Sequence, residues 1–265
     1  MSVINTNINA LYAQDSSTKV GRSLATSMQR LSTGSRINSA KDDAAGLAIS
    51  TRMTAAIRGM DAAMRNANDG ISATQTAEGS LAAIQDSLQR IRELAVQSAN
   101  DTNGDADHSS LDLEAKQLIT EIDRVVSVTK FNGVKLIDGN FSGKSIQVGS
   151  GMSADDKISV TIGDASTSST GLNIASIDLK DSGSAYDALG ILDSALDKVT
   201  TMRSNMGAYQ NRFNAAITNL SNSTMNLQAA RSRILDTDYA KETTNLAKAQ
   251  IIQQAATAML AQANQ

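Results

Sequence analysis

The residue types that most often perform catalysis or bind metal ions are scarce in this chain. It has no cysteine and one histidine, His108, which excludes thiolate metal sites and paired-imidazole zinc sites. We expect His108 to be solvated, because it follows the turn-forming residues 100–104. Asp42 and Asp43 are adjacent carboxylates, but they precede a predicted helix, whose dipole favours acidic residues at that end. The sequence therefore predicts no catalytic, cofactor-binding or metal-binding residues.

Charge and hydropathy restrict the partners of the chain. Its 24 Lys and Arg residues are interspersed with 27 Asp and Glu residues, and no long basic run indicates nucleic acid as a partner. No segment approaches the roughly 20 consecutive apolar residues that span a bilayer, so no membrane insertion is expected. Residues 1–20 lack the basic and apolar regions of a cleavable signal peptide. The protein is expected to stay in the cytosol or to leave the cell by an unprocessed route.

Apolar residues repeat every seven positions in two long stretches. In the C-terminal half the repeat consists of Leu192, Val199, Met206, Phe213, Leu220 and Leu227. A similar repeat between residues 53 and 95 predicts one helix over about 43–99. The turn signal Asn68-Asp69-Gly70 falls inside that repeat, and we expect helix there because the register continues on both sides. The seven-residue repeat, taken by itself, is better explained by the core of a helix bundle within one chain than by an interface between copies of the chain.

The pattern changes between the two repeats. Asn132-Gly133 and Asp138-Gly139 are turn dipeptides, and residues 158–162 alternate as in a half-buried strand. The Ser- and Thr-rich residues 164–171 are expected to form an exposed loop. The sequence thus predicts a mainly α fold: an elongated rod of long antiparallel helices, with a terminal coiled-coil pair and a small β-hairpin region.

Seven segments carry a family resemblance. They are Val3–Ile8, Gln29–Gly34, Arg36–Gly46, Arg65–Ile71, Gln89–Asn100, Phe131–Gly133 and Asp238–Gln265. In this order they resemble bacterial flagellin over nearly the whole chain. Because flagellins usually carry outer domains inserted in the middle, this chain is similar to a minimal flagellin that lacks those variable domains.

The resemblance implies a division into regions. Residues 1–33 with 235–265 correspond to the inner terminal-helix domain, 34–43 to a connector, 44–129 with 185–230 to a helical rod domain, and 130–184 to its β-hairpin and loop region. In flagellins the terminal helices pair and line the inside of the filament. The chain is therefore expected to be a secreted, extracellular structural subunit that self-assembles into the flagellar filament for swimming motility.

Apolar and small residues on the terminal helices form the polymerisation seam that this resemblance implies. The seam consists of Ile4, Ile8, Leu11, Leu31, Leu246, Ile252, Ala256 and Met259. Self-association along it reverses the preference for an intramolecular bundle at the two termini. The other expected partners are hook-associated junction and cap proteins and the flagellar export chaperone.

A second surface follows from the Gln89–Asn100 segment. In many flagellins this stretch and an acidic residue on the next helix contact the flagellin-sensing Toll-like receptor of the host, and they also contact neighbouring subunits. The matching residues here are Gln89, Arg90, Leu94, Gln97 and Glu114.

Two other functional classes fit the sequence less well. A hook-filament junction protein would share the terminal seams, but the match along the whole long helix favours flagellin. An enzyme is disfavoured, since the chain lacks the His-Glu-x-x-His motif of the zinc protease domains found in some flagellins.

Overall fold

The computed structural model describes residues 7–263. Five helices account for most of them: α1 Ile8–Thr33, α2 Ala44–Ser98, α3 Asp105–Val128, α4 Ser182–Leu235 and α5 Tyr239–Ala263. The strands are β1 Lys130–Phe131, β2 Val134–Lys135, β3 Lys144–Gln147 and β4 Lys157–Val160, and a short 3-10 helix spans Ala154–Asp156. The mainly α class with a small hairpin region is confirmed, and α2 occupies almost the predicted range.

The chain divides into two compact units. Residues 1–58 with 224–265 form one, called the terminal unit here, and residues 59–223 form the other, called the central unit. The boundaries fall within helices α2 and α4, whereas the regions drawn from the sequence begin and end at connectors. Each unit is described separately below.

Helices α2 and α4 run antiparallel in the central unit. Arg92 Nε donates to Asp193 Oδ1 at 2.7 Å, and farther back along α2 Glu78 Oε2 accepts from Gln210 Nε2 at 3.2 Å. The predicted heptad residues of α4 face this pairing, and Leu192, Val199, Met206 and Phe213 are fully buried. They pack with the buried apolar residues of α2, namely Ile84, Leu88, Ile91 and Leu94. For this unit, the intramolecular bundle interpretation of the repeat is confirmed.

Helix α2 continues without interruption through the turn signal at 68–70. A Cβ on Gly70 would lie 2.8 Å from Phe213 Cζ and 2.9 Å from Ile146 Cδ1. Both separations are far below a normal carbon–carbon contact. Glycine therefore serves close packing at this position, and the helical register correctly outweighed the turn signal.

Two antiparallel hairpins follow α3. Strands β1 and β2 are joined by Asn132 and Gly133, whose φ angles of 48° and 79° are those of a type I′ turn. Strands β3 and β4 pair from Lys144 opposite Val160 to Gln147 opposite Lys157. Alternate residues of β4 are buried, as the pattern of residues 158–162 predicts.

The Ser- and Thr-rich segment 164–171 is only partly exposed, which corrects the expectation of an exposed loop. Ala165 and Thr167 are buried, whereas residues 168–170 are exposed. Asp164 and Ser166 are half-buried. The carboxylate of Asp123 on α3 accepts the Thr167 N–H at 3.0 Å and the Thr167 hydroxyl at 2.7 Å. This charge-assisted pair fixes the segment against the helix.

His108 is buried, with 6% of its surface exposed, so the expectation of a solvated side chain is wrong. Helix α3 begins at Asp105, directly after the turn-forming residues 100–104, and places His108 in its first turn. The Ser98 hydroxyl donates to Leu179 O at 2.6 Å and lies 2.7 Å from His108 Nδ1. Since that hydroxyl has one hydrogen, Nδ1–H is the donor to Ser98. The three residues tie the end of α2 to the start of α3 and to the segment before α4.

In the terminal unit, α1 and α5 form an antiparallel pair. Tyr239 at the start of α5 donates its hydroxyl to Leu31 O near the end of α1, at 3.2 Å. Farther along, Val20 and Ile252 line the same cavity between the helices. The predicted pairing of the terminal helices is confirmed for residues 8–33 and 239–263.

The connectors of the terminal unit also pair with each other. Arg36 donates its backbone N–H to Leu235 O and its guanidinium to Ile234 O, both at 2.7 Å. These bonds satisfy carbonyls at the end of α4 that have no partner within the helix.

The adjacent carboxylates Asp42 and Asp43 order the start of α2. Asp43 caps the helix by accepting the Gly46 N–H at 2.8 Å. The Ser39 hydroxyl, with the backbone N–H groups of Asn38 and Ser39, holds the pKa of Asp42 below its ordinary value. A structural role at a helix start therefore accounts for both acids.

Candidate interaction surfaces

The described part of the chain offers little for small-ligand chemistry. Among residues 7–263, no group of three or more His, Cys, Asp or Glu side chains is placed to hold a metal ion. In the same range, no helix combines the length and apolar character needed to cross a bilayer. The candidate sites are therefore surfaces on the helices.

The first surface lies on the terminal helix pair. Leu31, Leu246 and Ala256 of the predicted seam are half-buried. Four other seam residues are exposed: Ile8 by 50%, Leu11 by 56%, Ile252 by 39% and Met259 by 68%. Ile4 lies outside the described residues. Pairing of α1 with α5 thus leaves a large part of the seam open to solvent.

Further apolar side chains extend this surface beyond the predicted seam. Tyr12, Met28 and Ile251 are all exposed by more than half. Tyr12 and Ile251 adjoin the seam residues Leu11 and Ile252, so a wider apolar stripe would have found them. Large exposed apolar patches on soluble proteins mark sites of protein association.

A groove of about 390 Å³, open to solvent, lies between the two helices of this pair. Its lining includes Val20, Ser27, Arg30, Glu242 and Ile252. Ser27 and Glu242 are buried there, with Arg30 Nη1 4.0 Å from Glu242 Oε1. At that separation the pair attracts electrostatically but forms no close hydrogen bond.

The second surface lies in the central unit, on α2 and α3. Arg90 donates from Nη2 and Nε to Glu114 Oε1, at 2.8 and 3.0 Å, and from Nη1 to Glu93 Oε2 at 3.0 Å. Hydrogen bonding to Glu114, followed by that to Glu93, raises the pKa of Arg90. Gln89 and Gln97 are exposed along the same helix. We call Gln89, Arg90, Gln97 and Glu114 the α2–α3 face.

Leu94 does not belong to that face. Only 1% of its surface is exposed, and it packs in the core of the central unit. This corrects its expected role as a surface contact, and its spacing of three from Ile91 already placed it on the buried side of the helix. Exposed apolar residues that adjoin the face in sequence are instead Val96, next to Gln97, and Leu113, next to Glu114, and the sequence reasoning missed both.

Comparison with known proteins identifies the family. Residues 4–142 match the family model described as "Bacterial flagellin N-terminal helical region", and residues 189–265 match "Bacterial flagellin C-terminal helical region". The flagellin of Halalkalibacterium halodurans is 48% identical over 238 residues, which cover 90% of this chain and 87% of that protein. The flagellin of Xenorhabdus nematophila is 43% identical, covering 100% of this chain and 96% of that protein.

A solved structure agrees with the sequence matches. Bacillus cereus flagellin superimposes with a TM-score of 0.52 at 32% identity, over 63% of this chain and 94% of that structure. These relatives are structural proteins, so the expectation of a structural rather than an enzymatic role is confirmed. The chain therefore belongs to the bacterial flagellins, the structural subunits of the extracellular flagellar filament.

Proposed function

We propose that copies of this chain assemble into the filament by packing the exposed seam of the α1–α5 pair against the terminal helices of neighbouring copies. The observation that carries the proposal is the exposure of Ile8, Leu11, Ile252 and Met259 on helices that are already paired. Covering the part of one such side chain that is still exposed contributes on the order of 1 kcal/mol. This packing generates an open polymer if the seam meets a different face of the neighbour's terminal helices, because such a contact does not close on itself.

Assembly of the full chain tests this proposal. Filament seeds and ammonium sulfate, a salt that strengthens apolar burial, are added to the purified protein, and growth is followed by sedimentation and electron microscopy. Long uniform tubes are the expected result. A protein that stays monomeric under these conditions would overturn the proposal.

A hook-filament junction protein would behave differently in the same experiment. Such a protein would add a few subunits to a seed and then stop, whereas a filament subunit grows in proportion to the supply of monomer. Binding of hook-associated junction and cap proteins and of the export chaperone belongs to the same proposal.

We also propose that the α2–α3 face is recognised by the flagellin-sensing Toll-like receptor. Support comes from the family membership and from the exposure of Gln89, Arg90, Gln97 and Glu114. Arg90 and Glu114 already pair with each other, so a partner would exchange these contacts for its own. Their charges also make them suited to electrostatic recognition.

Receptor activation by monomer tests this second proposal. Arg90→Ala is expected to weaken activation of a reporter cell line about tenfold, the effect of losing roughly 1.4 kcal/mol of binding. Arg124→Ala is a matched control, because Arg124 also pairs with a glutamate three residues away, Glu121. Equal activation by wild type and Arg90→Ala would contradict the proposal.

A further inference from the structure

Sulfur occurs in this chain only as the thioether of methionine, because the sequence has ten methionines and no cysteine. Peroxides oxidise such thioethers where they are accessible. Within the described part of the chain, four methionines are exposed: Met28 by 57%, Met152 by 99%, Met225 by 56% and Met259 by 68%. Met206, in contrast, is fully buried in the central unit. The fold therefore decides which sulfur atoms an oxidant reaches.

Two of the exposed methionines lie on the α1–α5 pair and adjoin the polymerisation seam. Met259 follows Ile252 by seven residues, about two helical turns, so both side chains lie on the same side of α5. Met28 precedes Leu31 by three residues, less than one turn of α1. Ile252 is exposed and Leu31 is half-buried. Assembly through the seam would therefore cover two thioethers that are open to solvent in the monomer.

The other two exposed methionines lie away from this helix pair. Met152 is in the loop between β3 and β4, and Met225 is on α4. Met225 and Met28 are exposed to nearly the same extent, at 56% and 57%. An oxidant that enters from solvent thus reaches both groups, and position alone distinguishes them.

We propose that Met28 and Met259 are oxidation sites, and that their conversion to methionine sulfoxide by hydrogen peroxide blocks assembly. The proposal rests on the self-assembly proposed above and adds a way to regulate the same surface. In the reaction, a lone pair of the thioether sulfur attacks one peroxide oxygen and the O–O bond breaks. The sulfur loses two electrons to the peroxide and forms a bond to that oxygen. The proton of the transferred oxygen passes to the other oxygen, which leaves as water.

Oxidation changes the side chain from apolar to polar. Methionine is flexible and suits an adaptable apolar interface, whereas its sulfoxide is polar and disrupts such contacts. Covering the sulfoxide oxygen in the seam is unfavourable, because the aliphatic side chains of the seam offer it no hydrogen-bond donor. Since Met28 and Met259 are exposed in the monomer, the same change should leave the folded subunit intact.

Critical concentrations for assembly before and after oxidation test the proposal. The monomer is treated with hydrogen peroxide, the excess is removed, and growth is driven by filament seeds and ammonium sulfate. Mass spectrometry of peptides measures the sulfoxide at each methionine, and circular dichroism checks the helices. We expect sulfoxide at Met28 and Met259 but not at Met206, and a critical concentration that rises about tenfold or more.

Two variants separate the seam from the rest of the surface. Each replaces two exposed methionines by leucine, which peroxide does not oxidise: Met28→Leu with Met259→Leu in the first, and Met152→Leu with Met225→Leu in the second. The quantity compared is the ratio of critical concentrations after and before treatment, so each variant is its own reference. This ratio should stay below about threefold for the first variant and equal that of wild type for the second.

Enzymatic reduction gives an independent measurement on the wild-type chain. Methionine sulfoxide reductases, one for each epimer of the sulfoxide, restore the thioether. Because the chain has no cysteine, the thiol reductant that they require has no disulfide to reduce. The critical concentration of the oxidised protein should return to within about threefold of its original value.

The outcomes separate oxidation from assembly itself. If untreated wild type does not assemble, both proposals fail. If it assembles, and protein with sulfoxide at Met28 and Met259 assembles equally well, the oxidation proposal is wrong and assembly stands. An equal rise in the ratio for the first variant would also overturn it, since other methionines would then explain the loss. Oxidised protein that stays inactive after complete reduction would contradict it too.

Discussion

The central unit buries its apolar residues within one subunit, whereas the terminal unit leaves many of its own exposed. Phe213 and Leu88 in the central unit are inaccessible to solvent, while Ile251 and Met259 on α5 are mostly exposed. Both regions consist of paired antiparallel helices, so helix pairing alone does not complete a core. The difference indicates that the central unit is stable by itself and that the terminal unit gains its remaining burial from other copies.

The largest effect on stability is expected for Phe213→Ala in the central unit. Phe213 is fully buried among residues of α2 and the hairpins, so the substitution leaves a cavity and costs about 3–5 kcal/mol. Urea unfolding of the monomer measures the loss. A change below about 1 kcal/mol would show that this core is not closely packed.

A pair of glycine substitutions on α2 tests the packing more finely. Gly70→Ala would force a methyl group against Phe213 and Ile146 and should cost about 1–3 kcal/mol. The methyl group added by Gly79→Ala would have no other atom within 4 Å, so this substitution should stabilise the helix by up to about 1 kcal/mol. Melting temperatures that move in the same direction would contradict the close contact at Gly70.

Asp112→Asn tests the polar contacts that join α3 to the segment before α4. Burial alone would raise the pKa of Asp112, but the Lys116 ammonium at 2.6 Å and the Leu179 N–H at 3.2 Å outweigh it and lower the pKa. At neutral pH the loss should be about 1–2 kcal/mol.

The pH dependence of that loss follows from the direction of the shift. The carboxylate has a lower pKa folded than unfolded, so its contribution is complete above the ordinary value of 3.8 and disappears as pH falls through the folded value. Wild type and Asp112→Asn should therefore become equally stable in acid. A difference that persists after the Asp112 carboxyl is protonated in the folded protein would contradict the ionic origin of the effect.

The smallest effect on monomer stability is expected for Met259→Ser on α5. Since Met259 is exposed, unfolding should change by less than about 0.5 kcal/mol. Its critical concentration for assembly should nevertheless rise about tenfold, because the proposed seam would cover this side chain in the filament. Met152→Ser is the control: Met152 is also exposed but lies in the central unit, so neither quantity should change. If Met259→Ser and wild type have the same critical concentration, Met259 does not belong to the seam.

Sequence periodicity predicts the helices because it reports burial directly. The seven-residue repeat located α2 to within a residue or two of each end and placed Leu192, Val199, Met206 and Phe213 in the core. The same repeat correctly predicts helix at Gly70. The dipeptide Asn132-Gly133 located the first hairpin, since few residues adopt the left-handed backbone that a type I′ turn needs.

Errors arose where a distant partner decides the environment of a residue. His108 looks solvated beside its turn, but Ser98 and the carbonyl of Leu179 bury it, and Leu179 lies 81 residues from Ser98 in sequence. Thr167 is held by Asp123, 44 residues away. Such contacts leave no periodic signal in the sequence.

Hydrogen exchange compared between monomer and filament tests the central claim most directly. If assembly completes the terminal unit, the amides of α1 and α5 exchange quickly in the monomer and slowly in the filament, while those in the core of the central unit are protected alike in both. Equal protection of α5 in the two states would contradict the account, because the terminal helices would then be fully stabilised within a single subunit.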